Sequence, residues 1–152
     1  MIVTFCGHAK FIRTKEYENK ILSLLNELVG TNKASIYLGG YGEFDAFAYD
    51  CCKKYQKSHD NVKLVFVTPY LTAEYQQNHL NYLMDLYDDI TYPEIEDKPP
   101  RFAITYRNRW MIDQADYVIS GVSHTWGGAY KTYQYARRRN KTIYSITDEC
   151  LR

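Results

Sequence analysis

Short apolar runs alternate with segments of helical periodicity along the whole chain. Ile2-Val3-Thr4-Phe5-Cys6 is a strand-sized run that ends at Gly7-His8. Thr14 then stands as a helix N-cap. Tyr17, Ile21, Leu24, Leu25 and Leu28 follow at helical spacing, and Gly30 is a natural stop. A second strand, Ser35 to Leu38, runs into Gly39-Gly40-Tyr41-Gly42. Phe44, Phe47, Ala48, Cys51 and Tyr55 mark one face of the next helix. Val62 to Thr68 is the most strand-like stretch, and Pro69 closes it. A further helix is expected to carry Tyr75, His79, Tyr82, Leu83 and Leu86, followed by a short strand at Ile90 to Tyr92 and a polar, proline-rich loop from Pro93 to Pro100. From Phe102 to Gln114 the period is again helical, with Ala103, Arg107, Trp110, Met111 and Gln114 on one side. Tyr117 to Ser120 reads as a strand, Gly127-Gly128 opens a helix that reaches about Arg139, and Thr142 to Ile146 is a last strand.

Strands that alternate with helices over the full length predict a three-layer α/β/α Rossmann-like domain with a mainly parallel sheet covered on both faces. Residues 1–152 form one such domain, since no repeat, linker or low-complexity tract divides the chain. The pattern places Ile2–Cys6 in the middle of the sheet. Strand order reverses beside it, which opens a ligand crevice at the carboxyl edge with Gly7, Gly40 and Gly128 around it.

Composition narrows the function classes. The chain has 19 Lys+Arg against 18 Asp+Glu, a formal net charge of +1. That balance argues against nucleic acid or an anionic membrane as the main partner. Basic charge is local, with Arg101, Arg107 and Arg109 in one group and Arg137, Arg138, Arg139 and Lys141 closing a helix. The longest apolar runs are strand-sized and nothing resembles a signal peptide, so a cytoplasmic protein is expected. The four cysteines, Cys6, Cys51, Cys52 and Cys150, lack framework spacing and read as reduced, mostly buried thiols. His8, His59, His79 and His124 are scattered, and only His8 and His124 are expected at a common edge, so no metal site and no cofactor are expected.

Three strand ends carry the candidate chemistry. At Gly7-His8 the glycine lets a backbone approach a ligand and the histidine can donate a hydrogen bond or move a proton; a tight turn with an exposed histidine explains the pair equally well. In Gly39-Gly40-Tyr41-Gly42-Glu43-Phe44-Asp45 the glycines suit close approach, but Glu43 and Asp45 would repel a phosphate at the helix start. This loop is therefore assigned to neutral parts of a ligand. Asp45 either accepts ribose hydroxyls, serves as nucleophile or general base, or simply caps the helix. The third loop, Ser123-His124-Thr125-Trp126-Gly127-Gly128, leads into a helix with no acid in its first turns and with Lys131. Its charge makes it the better phosphate site, to which Arg107 and Arg109 would add bidentate contacts unless they are only solvated or paired with Asp113 or Asp116. Gly7 stands alone where the dinucleotide fingerprint needs three glycines, and neither a P-loop nor a nucleophile elbow is present.

Five ordered stretches carry a family resemblance: Phe5-Cys6-Gly7-His8, Leu38 to Asp45, Arg107-Asn108-Arg109-Trp110-Met111, Ala115 to Ile119, and Trp126 to Thr132. On these the chain resembles the SLOG superfamily, the Rossmann-like group of the Lonely guy proteins and DprA-related domains, and within it a branch of small uncharacterised bacterial and phage proteins. The resemblance implies binding of nucleotides or nucleotide-derived signals at the strand edge. The ligand residues it and the loops suggest are Gly7, His8, Gly39, Gly40, Tyr41, Gly42, Asp45, Arg107, Asn108, Thr125, Gly127, Gly128 and Lys131. Some members hydrolyse the N-glycosidic bond of a nucleoside monophosphate with an arginine, matched here by Arg107, and a glutamate, whose place falls on Gln134. The third glycine and the threonine of that motif fall on Tyr130 and Lys131. The expected function is thus binding or sensing of a phosphate- and ribose-bearing small molecule, with a nucleotide N-glycosidase that uses Asp45 or Glu43 as the alternative. A homodimer is expected as well, partly because related proteins often pair and partly because Tyr75, Tyr82 and Tyr87 offer aromatic surface.

Overall fold

A computed structural model describes residues 1–147; Cys150 lies outside the described residues. Six parallel strands form one sheet in the order β4-β3-β2-β1-β5-β6. They are β1 (Ile2–Gly7), β2 (Ala34–Leu38), β3 (Val62–Val67), β4 (Asp89–Thr91), β5 (Tyr117–Gly121) and β6 (Thr142–Ser145). β1 lies inside the sheet as the apolar pattern requires. From β1 the chain winds outward to β4, then returns to place β5 on the other side of β1. The switch point therefore lies between β1 and β5, and the chain has the α/β Rossmann-like architecture.

Helices α1 (Lys15–Val29) and α2 (Glu43–Gln56) pack together, as do α5 (Ala103–Gln114) and α6 (Gly127–Arg138). Residues of β1 divide between two cores by the two-residue period of a strand. Val3 and Phe5 join Ile21, Leu25, Phe44 and Phe47, while Cys6 packs with Ile112, Val118 and Ala136. Thr14 caps α1 as its position suggested, its side chain accepting the Tyr17 N–H at 3.1 Å. The α2 face is also as expected: Phe44, Phe47, Ala48, Cys51 and Tyr55 are all buried.

One glycine pair decides how α2 meets the sheet. Gly7 and Gly121 are partners at the ends of β1 and β5. A Cβ on Gly7 would lie 2.2 Å from the Phe44 ring, and one on Gly121 would lie 2.1 Å from it. The ring needs both glycines, which explains Gly7 by packing rather than by approach of a ligand.

Two expectations about helices need correction. The segment after β3 is not one regular amphipathic helix. It consists of α3 (Ala73–Tyr75), a π-turn (Gln76–Leu80) and α4 (Asn81–Leu83). The π-turn shifts the face that packs, so Leu80 is buried while His79 and Tyr82 are exposed. On α5 the buried side is Ala103, Arg107, Met111 and Ile112; Gln114 is exposed and Trp110 half-buried. Among the described residues no helix is long and apolar enough to cross a membrane.

Candidate functional site

A cleft of about 400 Å³ opens at the carboxyl edge of the sheet, where β1 and β5 end. Of the residues expected there, Gly7, His8, Tyr41, Asp45, Arg107, Asn108, Gly127, Gly128 and Lys131 line it. Gly39, Gly40, Gly42, Thr125 and Glu43 do not. Gly40 turns its α-carbon toward Phe66, and Gly42 sits against the Ala9 backbone. These glycines shape the turn into α2 and do not border the cleft, so the expected ring of Gly7, Gly40 and Gly128 is incomplete.

The two helix starts at this edge differ in chemistry. The α2 start is already satisfied: Glu43 N–H donates to Ala9 O at 2.8 Å and Phe44 N–H to His8 O at 3.3 Å. The Glu43 carboxylate accepts the Phe11 N–H at 2.8 Å, which gives it a structural task away from the cleft. The α6 start has no side-chain cap and no acid in its first turn. A Cβ added at Gly127 or Gly128 would meet nothing within 4 Å. Gly127 has φ +89°, a conformation that favours glycine. Gly128 is not in that region and has no neighbour that demands a glycine.

Asp45 is the carboxylate that lines the cleft. It is half-buried, and its Oδ2 accepts the Tyr41 N–H at 3.0 Å. Burial pushes its pKa up to about 6, against the Tyr41 N–H and Arg107, which pull it down. Below it in the cleft, burial lifts the Cys6 thiol to about 12, so the sulfur is an inert part of the lining.

Arg107 points inward, and the bidentate phosphate contact expected of it meets a guanidinium already engaged within the protein. It is 1% exposed. Nη1 donates to Gly39 O at 2.8 Å and Val67 O at 2.9 Å, and Nε to Asn108 Oδ1 at 2.8 Å. A Cβ on Gly39 would come within 2.9 Å of this guanidinium, so that glycine serves Arg107. Burial lowers the Arg107 pKa from its ordinary value, and Asp45 opposes the shift. With Nε and Nη1 engaged, the group ties β2 and β3 to α5 and cannot offer the parallel pair of donors a bidentate phosphate contact requires. The second basic group behaves as helix-end charge: Arg137 and Arg138 are exposed, Arg139 pairs with Asp113 at 3.1 Å, and Lys141 donates to the carbonyls of Asp113 and Ala115.

Sequence reasoning missed a stack of rings. His8 is 6% exposed, and its Nε2 accepts the N–H groups of Ser123 at 3.0 Å and His124 at 3.3 Å. Acceptance at Nε2 fixes a neutral ring with its proton on Nδ1. Burial, and after it His124, lowers the His8 pKa. The His124 ring stacks on His8 at 3.5 Å, and Trp126 stacks on His124 at 3.5 Å. Arg109, expected beside a phosphate, lines the cleft, as does Lys10, which was not expected there; like Lys131 they are exposed. Gln134, the place of the hydrolase glutamate, does not line it.

No family model and no curated protein matches the chain. Solved structures that share its fold include two DNA processing proteins. One is DNA processing protein A from Helicobacter pylori, whose single-stranded DNA binding mode is described, at 18% identity and a TM-score of 0.66 over 99% of this chain. The other is DNA processing protein A (DprA) from Streptococcus pneumoniae, at 15% identity and a TM-score of 0.63 over 98%. The chain spans 67% of the first and 51% of the second. The expectation against nucleic acid is corrected here, because a protein of this fold binds single-stranded DNA. Lys10, Arg109 and Lys131 all line the cleft, a local gathering of cations that a net charge of +1 does not register. The chain has the Rossmann-like fold of the DNA processing protein A structures.

Proposed function

We propose that the cleft binds a nucleotide unit, with its phosphate against the start of α6 and its ribose toward Asp45. The observation that carries this reading is the pair Gly127-Gly128: an uncapped helix start, free of acids, with open space at both α-carbons. Free N–H groups and the helix dipole attract an anion there, and Lys131 one turn on adds charge. Asp45, half-buried across the cleft, suits hydroxyl groups better than phosphate oxygens. Arg107 supports the site by holding the Gly39 carbonyl and contributes field rather than a bidentate clasp.

The same chemistry presented by a single strand of nucleic acid is the second reading. It is favoured by the exposed cations at the rim and by the single-stranded DNA binding of the Helicobacter pylori protein. A hydrolase reading keeps only Asp45, since α6 carries no carboxylate. Calorimetric titration with thymidine 5′-monophosphate and with a short oligothymidylate, at two salt concentrations, separates these readings. Binding of the mononucleotide supports the cleft as a nucleotide site. Much tighter, steeply salt-dependent binding of the oligomer assigns it to a strand. Absence of binding by both refutes the proposal. Chromatography of the same mixtures for free thymine tests hydrolysis.

A further inference from the structure

Trp126 is 66% exposed although it lies at the mouth of a cleft and next to Gly127-Gly128. Exposed tryptophan is costly in apolar area and is common where a ring has a ligand to meet. Its position is not loose. One face of the indole rests on His124 at 3.5 Å and 20°, and His124 rests on His8 at 3.5 Å and 11°. His8 is in turn locked by the two backbone N–H groups that donate to its Nε2. The indole is thus the last member of a column whose base is anchored in the sheet edge. The column continues outward at the spacing of stacked rings.

We propose that the outer face of Trp126 is a stacking platform for a nucleobase, and this rests on the nucleotide reading of the cleft. The residue sequence puts platform and phosphate position side by side: Trp126 is the cap of α6, and Gly127 and Gly128 are its first residues. One nucleotide can therefore lay its base on the indole while its phosphate meets the helix start. Stacking uses the π-face common to all bases, so the platform tolerates any base and demands only that one be present. The neutral state of His8 belongs to the same device. A proton on Nε2 would remove the acceptor for Ser123 and His124 and release the column.

Two matched pairs of probes test the platform and separate the free nucleotide from the strand. The first pair is thymidine 5′-monophosphate and 2-deoxyribose 5-phosphate; the second is an oligothymidylate and an abasic oligomer of the same length. Trp126→Ala weakens binding of the base-bearing probes by roughly five- to a hundredfold and leaves the abasic ones unchanged, while Trp126→Phe restores most of the loss. In a Trp110→Phe background, the remaining indole fluorescence is quenched by thymidine 5′-monophosphate and not by the sugar phosphate. If the abasic probes bind wild type as well as their base-bearing partners do, the platform fails while the phosphate position stands. If no probe binds, both fail. If only the oligomer pair responds to Trp126→Ala, the base belongs to a strand.

Discussion

Gly128→Ala separates the needs of the fold from those of a ligand. Gly128 is the second residue of α6, and a Cβ there meets nothing within 4 Å. Its φ is not in the left-handed region, so alanine adopts the same backbone without strain. In a helix interior alanine is better than glycine by about 1 kcal/mol, and in a first turn we take about half of that. For a domain of this size, a gain of ~0.5 kcal/mol raises Tm by about 1–2 °C. The effect on ligand runs the other way. A phosphate against this turn needs the bare α-carbon, and a methyl group there lengthens or breaks one charge-assisted N–H bond. Such a bond is worth roughly 1.5–3 kcal/mol, a weakening of about tenfold or more. Scanning calorimetry measures the first effect, and titration with thymidine 5′-monophosphate the second. A protein that is more stable and binds equally well would show that no anion approaches this turn. A protein that is less stable would show that the space at Gly128 is not open.

Three further outcomes follow from the same packing. Arg107→Ala strips the carbonyls of Gly39 and Val67 of their donor in a buried position, and urea unfolding should show a loss of roughly 3 kcal/mol or more. Arg107→Lys should recover little of it, and Arg138→Ala should cost under about 1 kcal/mol. Gly121→Ala drives a Cβ into the Phe44 ring, so it should destabilise by ~2 kcal/mol or more, and by far less in a Phe44→Ala background. Asp45 has a pKa of about 6 in the fold against an ordinary value of 3.8. Between those values the native state holds a proton that the unfolded chain has lost, so stability falls as pH rises from about 4 to 6. Asp45→Asn should remove that slope and stabilise the protein at pH 7 by up to about 3 kcal/mol, less where water reaches the half-buried carboxylate. Unfolding curves at pH 4.5 and pH 7 check the sign.

Much of the fold can be read from the chain because it is written in local periods. The runs at Ile2 and Val62, the cap at Thr14 and the Phe44–Tyr55 face each depend on neighbours within a turn or two. The edge that carries the cleft is legible for the same reason, since glycines follow three strands. What each glycine is for depends on distant partners. Gly7 answers to Phe44, and Gly39 to Arg107 across 68 residues. The apolar setting of Arg107 correctly pointed inward, but its carbonyl partners lie on two other strand ends and leave no local trace. The His8–His124–Trp126 column joins residues 116 apart, so only the tryptophan beside Gly127-Gly128 could have signalled it. The π-turn at Gln76–Leu80 shows the converse, because a helical period survives in the sequence while the inserted residue rotates its face.

The most direct test of the central claim is an amide nitrogen–proton correlation spectrum recorded during titration with thymidine 5′-monophosphate. The account predicts that the amides of Gly127, Gly128 and Ala129 shift together and most strongly, with the Trp126 indole N–H and the Tyr41 amide moving on the same binding curve. Shifts centred on Arg137, Arg138 and Arg139, with the first turn of α6 unmoved, would contradict it.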